Sequence, residues 1–160
     1  MAVILTVEGD GAKKITMVLT RWTKALEDME PAMRSIGEYQ ARVVNARTFN
    51  EQGPDGDRWQ PLSPGYAAWK QKKRPGKPLM VFDGDLRDSL TTVGTGGGTF
   101  VTTHNTVVVG TSVPYARYHQ DGAGHLPQRK LLGNVTRPDR KAMAKFIQQF
   151  LVEGVAAGGR

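Results

Sequence analysis

Ser89-Leu-Thr-Thr-Val-Gly-Thr-Gly-Gly-Gly-Thr-Phe-Val-Thr-Thr-His-Asn-Thr-Val-Val-Val109 decides the class of fold. Its β-branched runs at 89–93, 99–103 and 106–109 predict strands, because branched side chains suit a pleated, half-buried surface. Gly94 to Gly98 reads as a mobile hairpin tip and His104-Asn105 as a turn, giving a small antiparallel meander. Leu79 to Phe82 is a short apolar run, and Asp83-Gly84-Asp85 is a turn in which either aspartate can cap a short helix through Leu86 to Leu90.

Outward from this stretch the period changes. Ile15, Val18, Leu19, Trp22, Leu26 and Met29 recur at spacings of three and four and predict a helix of roughly four turns. Pro31 suits a first helical turn, and Ala32, Ile36, Tyr39, Val43 and Ala46 mark a second stripe ending near Phe49. Asn50 to Leu62 is a loop anchored by Trp59, and Ser63-Pro64 opens a short helix that runs into a basic cluster. Thr136 with Asp139 three positions on predicts the start of a last helix, with Met143, Phe146, Ile147, Phe150 and Leu151 on one side. The class is therefore α+β, with about three to four helices on a small antiparallel sheet and flexible N- and C-terminal arms. One domain is expected over 1–153: a strand or arm at 1–8, a helical part at 12–50, loops and sheet at 51–135 and the C-terminal helix at 136–153. Residues 154–160 form a flexible tail.

With 160 residues the chain can bury a core without staples, and with no cysteine it has no disulfide framework, thiolate metal site or catalytic thiol. The longest apolar run, Ala2 to Val7, is closed by Glu8 and is too short to cross a bilayer, so no membrane is expected among the partners. A formal charge of +7 and a pI near 9.9 permit contact with nucleic acid or an acidic protein. Much of the excess lies in Lys70, Lys72, Lys73, Arg74 and Lys77, with no acidic residue inside the same decapeptide. Tyr66 and Trp69 nearby could stack bases, but no DNA- or RNA-binding signature accompanies them.

Candidates for catalysis are few. His104, His119 and His125 are the only histidines, and their spacing matches no metal-binding pattern, although His119, Asp121 and His125 could meet on one loop. Gly94 to Gly98 lacks the Lys-Ser/Thr and the helix that a phosphate loop requires. Asp83, Asp85 and Asp88 lack the Gly and closing Glu of a calcium loop. No cofactor, metal or catalytic residue is expected.

The loop residues carry a further signal. Phe49-Asn-Glu-Gln-Gly53 followed by Gly56-Asp-Arg-Trp-Gln-Pro-Leu-Ser63 resembles the signature of the phage virion morphogenesis family, which includes tail completion proteins of contractile-tailed phages. Leu79-Met-Val-Phe-Asp-Gly-Asp-Leu-Arg-Asp-Ser-Leu90, Val107-Val-Val-Gly-Thr111, Pro114-Tyr-Ala-Arg-Tyr-His-Gln-Asp-Gly122 and Pro127-Gln-Arg-Lys-Leu-Leu-Gly133 follow in the family's order, so the resemblance covers roughly Phe49 to Leu151. It implies a structural protein made in the host bacterial cytoplasm and placed in the virion, at the neck or tail end. There it would complete the tail and enable head–tail joining. Its expected partners are copies of itself in a ring-like oligomer and neighbouring neck, tail-terminator or tail-tube proteins, with incidental DNA contact. Gly53, Gly56, Gly84 and Gly122 would serve turns, and Trp59, Leu62 and Leu86 would anchor loops. Arg58, Arg87 and Arg129 offer forks for carboxylates, in a neighbour or within the chain. Phe49, Ser89, Tyr115, His119, Gln120 and Pro127 complete the motif and interface candidates. Two alternatives stay open at this point: a nucleic-acid-binding protein using Lys70 to Lys77, and a metal-dependent hydrolase built on the histidines.

Overall fold

A computed structural model describes residues 9–54, 56 and 58–156. The predicted arm at 1–8 and the end of the tail lie outside the described residues. Six α-helices and a two-stranded antiparallel sheet make up an α+β fold: α1 (Asp10–Glu27), α2 (Glu30–Tyr39), α3 (Pro64–Lys73), α4 (Asp85–Thr91), β1 (Gly98–Thr102), β2 (Val107–Thr111), α5 (Ala116–Asp121) and α6 (Arg137–Ala156).

The break between α1 and α2 falls at Asp28, whose extended backbone (φ −136°, ψ 93°) ends the first helix three residues before Pro31 takes an early helical position. α2 does not stop at Tyr39. It continues with wider π-helical winding over Gln40–Asn45 and Thr48–Gln52. The reason is a buried row at every fourth position: Met33, Gly37, Ala41, Asn45 and Phe49. Sixteen residues of ordinary α-helix, from 33 to 49, would leave Phe49 rotated roughly 160° away from Met33. Wider winding brings both to one side. It also moves Val43 from the predicted stripe to the surface, where it is 44% exposed.

Gly37 marks the place where this helix meets the sheet. A Cβ there would lie 2.6 Å from Val107 Cγ2 and 2.7 Å from Phe100, so only glycine allows the approach.

The sheet is smaller than the predicted meander. β1 and β2 pair from Gly98 opposite Thr111 to Thr102 opposite Val107, joined through the predicted His104-Asn105 turn with Thr103 N donating to Thr106 O. Residues 89–93 are not a strand. Leu86, Ser89 and Leu90, at helical spacing, are the buried residues of α4, so tertiary burial overrides the β propensity of Thr91, Thr92 and Val93. Gly94 to Gly98 is accordingly the α4–β1 connection rather than a hairpin tip, and Gly97 O accepts from Ser112 N and the Thr111 hydroxyl. The N-cap of α4 is Gly84, not Asp83 or Asp85.

The main core cluster is Phe49, Trp59, Val81, Leu86, Leu90, Ala116 and Leu131, which brings six loop and helix segments to one centre. α6 begins where Thr136 and Asp139 place it: Asp139 N donates to Thr136 Oγ1, and the Thr136 hydroxyl donates to Asp139 Oδ2. The helix runs to Ala156, three residues into the predicted tail. It lies against both α1 and α2.

Candidate functional site

The loops at 53–63, 78–86 and 113–133 converge on this core and enclose a cleft of about 960 Å³. Trp59 anchors the first of these loops on the core. Its ring meets Phe49 edge-on at 5.7 Å, and its indole N–H donates to Lys130 O at 2.9 Å. One long loop is thereby fastened to another 71 residues away.

Arg129 repeats the device. The side chain is 4% exposed, with Nε donating to Gln60 O at 2.8 Å and Nη2 to Pro61 O at 3.0 Å. Its partners are backbone carbonyls rather than the predicted carboxylate. Burial lowers the pKa of the guanidinium. Gln120 ties the same loop from the other side: Oε1 accepts from Leu131 N and Leu132 N, and Nε2 donates to Leu132 O. Gly122 ends α5 in the left-handed region (φ 73°) against the backbone of Gln128, where a Cβ would sit 3.0 Å away. Gly53, Gly56 and Gly84 also have positive φ, as turn positions should.

His119 lies between these ties. Its Nδ1 is buried and has no hydrogen-bond partner. Burial first, and the Arg129 charge second, push its pKa below the usual histidine value. Tyr115 stands edge-on to it with ring centres 6.4 Å apart and is itself 44% exposed. Leu62, Leu86 and Pro127 line the same cleft, together with Gly84. Ser89 lies behind it, its hydroxyl bonded to Leu86 O and Thr111 Oγ1. Of the sixteen motif residues, Leu62, Gly84, Leu86, Tyr115, His119, Pro127 and Arg129 thus line one cavity, and Phe49, Trp59 and Gln120 hold the loops around it. The arginines at 58 and 87 stand apart from it: Arg58 is exposed, and Arg87 pairs with its own neighbour Asp88 at 2.8 Å.

The basic cluster is broken up by the fold. Lys70 is 5% exposed and donates to Pro78 O and, at 2.9 Å, to Leu79 O. Arg74 pairs with Asp83, an acid nine positions away, and lies 4.8 Å over the Phe82 ring. Phe82 stacks on Trp69 at 5.5 Å, and Trp69 meets Tyr66 at 5.3 Å. Only Lys72, Lys73 and Lys77 of the five cations remain exposed. This is a structural corner with a residual charge of three, not a continuous phosphate-binding stripe.

Sequence reasoning missed a second polar centre. Asp139, 1% exposed, accepts from the Tyr39 hydroxyl at 2.9 Å and from Arg47 Nη2 at 2.6 Å, besides Thr136. Burial pulls its carboxyl up, but the hydrogen bonds from Thr136, Arg47 and Tyr39, with the charge of Arg47, outweigh it and hold the pKa down. The Thr136-x-x-Asp139 cap was legible, whereas partners nearly a hundred residues away were not.

Among the described residues, no group of three or more His, Asp or Glu could hold a metal ion, so His119, Asp121 and His125 do not gather as one site. No helix among them is long and apolar enough to cross a membrane. Compared with known proteins, residues 10–152 match the model of the phage virion morphogenesis family. No curated protein and no solved structure matches the chain.

Proposed function

The chain belongs to the phage virion morphogenesis family, and we propose on that footing that it is a non-catalytic subunit of the neck or tail end, which completes the tail and enables head–tail joining through ring-like self-assembly. The family makes it a virion-associated protein of particle assembly. The finer reading is supported above all by α1, which packs against α6 yet leaves Ile15, Leu19, Trp22 and Leu26 on its outer side, each 46–55% exposed. Their spacings of four, three and four place them along one helical stripe. A contiguous apolar stripe on a surface helix marks an interaction site. In a ring of identical subunits it would meet a different surface of the neighbouring copy.

The cleft serves this role as a rigid body rather than a reaction chamber. Two side chains fasten the loops around it: Arg129 holds Gln60 and Pro61, and Gln120 holds Leu131 and Leu132. The nucleic-acid reading loses its support once Lys70 is buried and Arg74 is paired with Asp83.

Electron microscopy of lysates from the parent phage with this gene silenced tests the assembly role. Full heads beside separate tails are expected, while normal infectious particles would overturn it. Complementation with a Leu19→Glu/Trp22→Glu chain should fail to restore joining if the α1 stripe is the contact.

A further inference from the structure

We propose that the cleft receives the N-terminal segment of a second copy of this chain, Ala2 to Glu8, with its apolar residues against the cleft walls and the Glu8 carboxylate on Arg129. The inference rests on the assembly reading and adds to the α1 stripe a second contact between neighbours.

Three observations converge. First, Arg129 is a buried cation with no acidic partner among the described residues; Gln60 O and Pro61 O satisfy two of its five N–H groups. Buried charges are paired, so a guanidinium held beside an open cleft is a seat for a carboxylate. Second, His119 Nδ1 is buried on the same cleft without a partner and offers a second polar contact to an incoming chain. Third, Leu62, Met80, Phe82 and Leu126 give the cleft apolar walls, and Leu126 is 45% exposed. The site thus calls for an apolar peptide that carries one acid.

The sequence holds such a segment ahead of the described residues. Ala2-Val-Ile-Leu-Thr-Val-Glu8 is apolar on both alternating faces and ends in the one carboxylate of the first nine residues. Eight residues reach roughly 26 Å when extended. The cleft is built from residues 60–86 and 115–129, while Gly9 leads directly into α1, which packs on α6. A ring of copies joined head to tail supplies the arm from a neighbouring copy. Asp83 and Asp85 line the Tyr115 side of the cleft, and Asp83 is already paired with Arg74. Their charge repels Glu8 from that side and sets the direction of the arm.

The natural chain has no cysteine, so disulfide trapping gives a clean test. Full-length Leu5→Cys and full-length Leu126→Cys chains are mixed and oxidised, and covalent dimers are read on a non-reducing gel. A mixed dimer is expected, well above the yield of Leu5→Cys with the exposed control Val152→Cys. Adding Glu8→Lys to the arm should weaken the contact about tenfold, the worth of one charge-assisted hydrogen bond. Equal yields with the control would overturn the proposal. So would a crosslink inside one chain carrying both cysteines at high dilution, which would put the arm in its own cleft. An Ala157→Cys chain that reacts with Leu126→Cys in place of Leu5→Cys would also overturn it, by naming the C-terminal segment as occupant. Failure to crosslink beside a head–tail joining defect in the silenced phage removes only the arm. A crosslink beside normal particles removes only the assembly role.

Discussion

The loops around Trp59 and the helix α1 carry similar apolar side chains and treat them in opposite ways. Phe49, Trp59, Val81, Leu86, Leu90 and Leu131 are all under 8% exposed, and the loops that bring them together are fastened by side chains to distant carbonyls. α1 is a regular helix of 18 residues whose Ile15, Leu19, Trp22 and Leu26 remain about half exposed. The irregular part of the molecule is thus its finished core, and the regular part is unfinished. Apolar area leaves water only when something covers it, and in α1 no described residue covers that side.

Substitutions sharpen the contrast. Trp59→Ala removes the edge contact with Phe49 and the bond to Lys130 O, and should cost about 3–5 kcal/mol in urea or thermal unfolding. Asp139→Asn comes next, at about 2–3 kcal/mol, because Arg47 and Tyr39 lose a charged acceptor. Its pH signature is separate. The folded carboxyl titrates below its unfolded value near 3.9, so the stabilisation is complete above that pH and is lost as pH falls through the folded value. Asp139→Asn should therefore flatten the acid limb of the stability curve.

Gln120→Ala strips the acceptor from two backbone N–H groups and should cost about 2 kcal/mol by chemical denaturation. His119 has a smaller effect with a defined window. Its folded pKa lies below the unfolded value near 6.5, so the neutral ring stabilises the fold fully above that pH and the gain disappears as pH falls through the folded value. NMR titration should place its midpoint below 6.5, and His119→Phe should remove that part of the pH dependence. At the small end, Leu19→Glu/Trp22→Glu should change the stability of the isolated chain by under about 1 kcal/mol, measured by thermal unfolding. A loss as large as that of Trp59→Ala would dissolve the comparison, because α1 would then belong to the core.

How far the sequence foretold this division depends on the range of the interactions. Local signals were legible: Pro31, Pro64 and the Thr136–Asp139 pair start helices, and His104-Asn105 turns the hairpin. Trp59 as a loop anchor was legible too, since a lone large ring in a polar loop needs somewhere to go. The α4 error at 89–93 came from trusting β-branched residues over the spacing of Leu86, Ser89 and Leu90. The partners of the basic cluster could not be read, because they are Asp83 and two carbonyls brought close by the turn at Pro75–Gly76, and carbonyls leave no trace in a charge count. Arg129 is the same case at longer range. The outer face of α1 could not be told from an inner one, because periodicity reports that a face is apolar, not what covers it.

The widened winding between Gln40 and Gln52 has a consequence for how this chain tolerates changes of length. Gly37 is pressed against the hairpin and Phe49 against Trp59, so the helix is gripped at both ends. A chain one residue shorter in this interval would wind as plain α-helix and still deliver both grips to the same side. The same deletion inside α6 or β2 would turn every later side chain away from its partner. Insertions and deletions among relatives should therefore collect in this stretch, inside a helix rather than in the surface turns that would ordinarily absorb them.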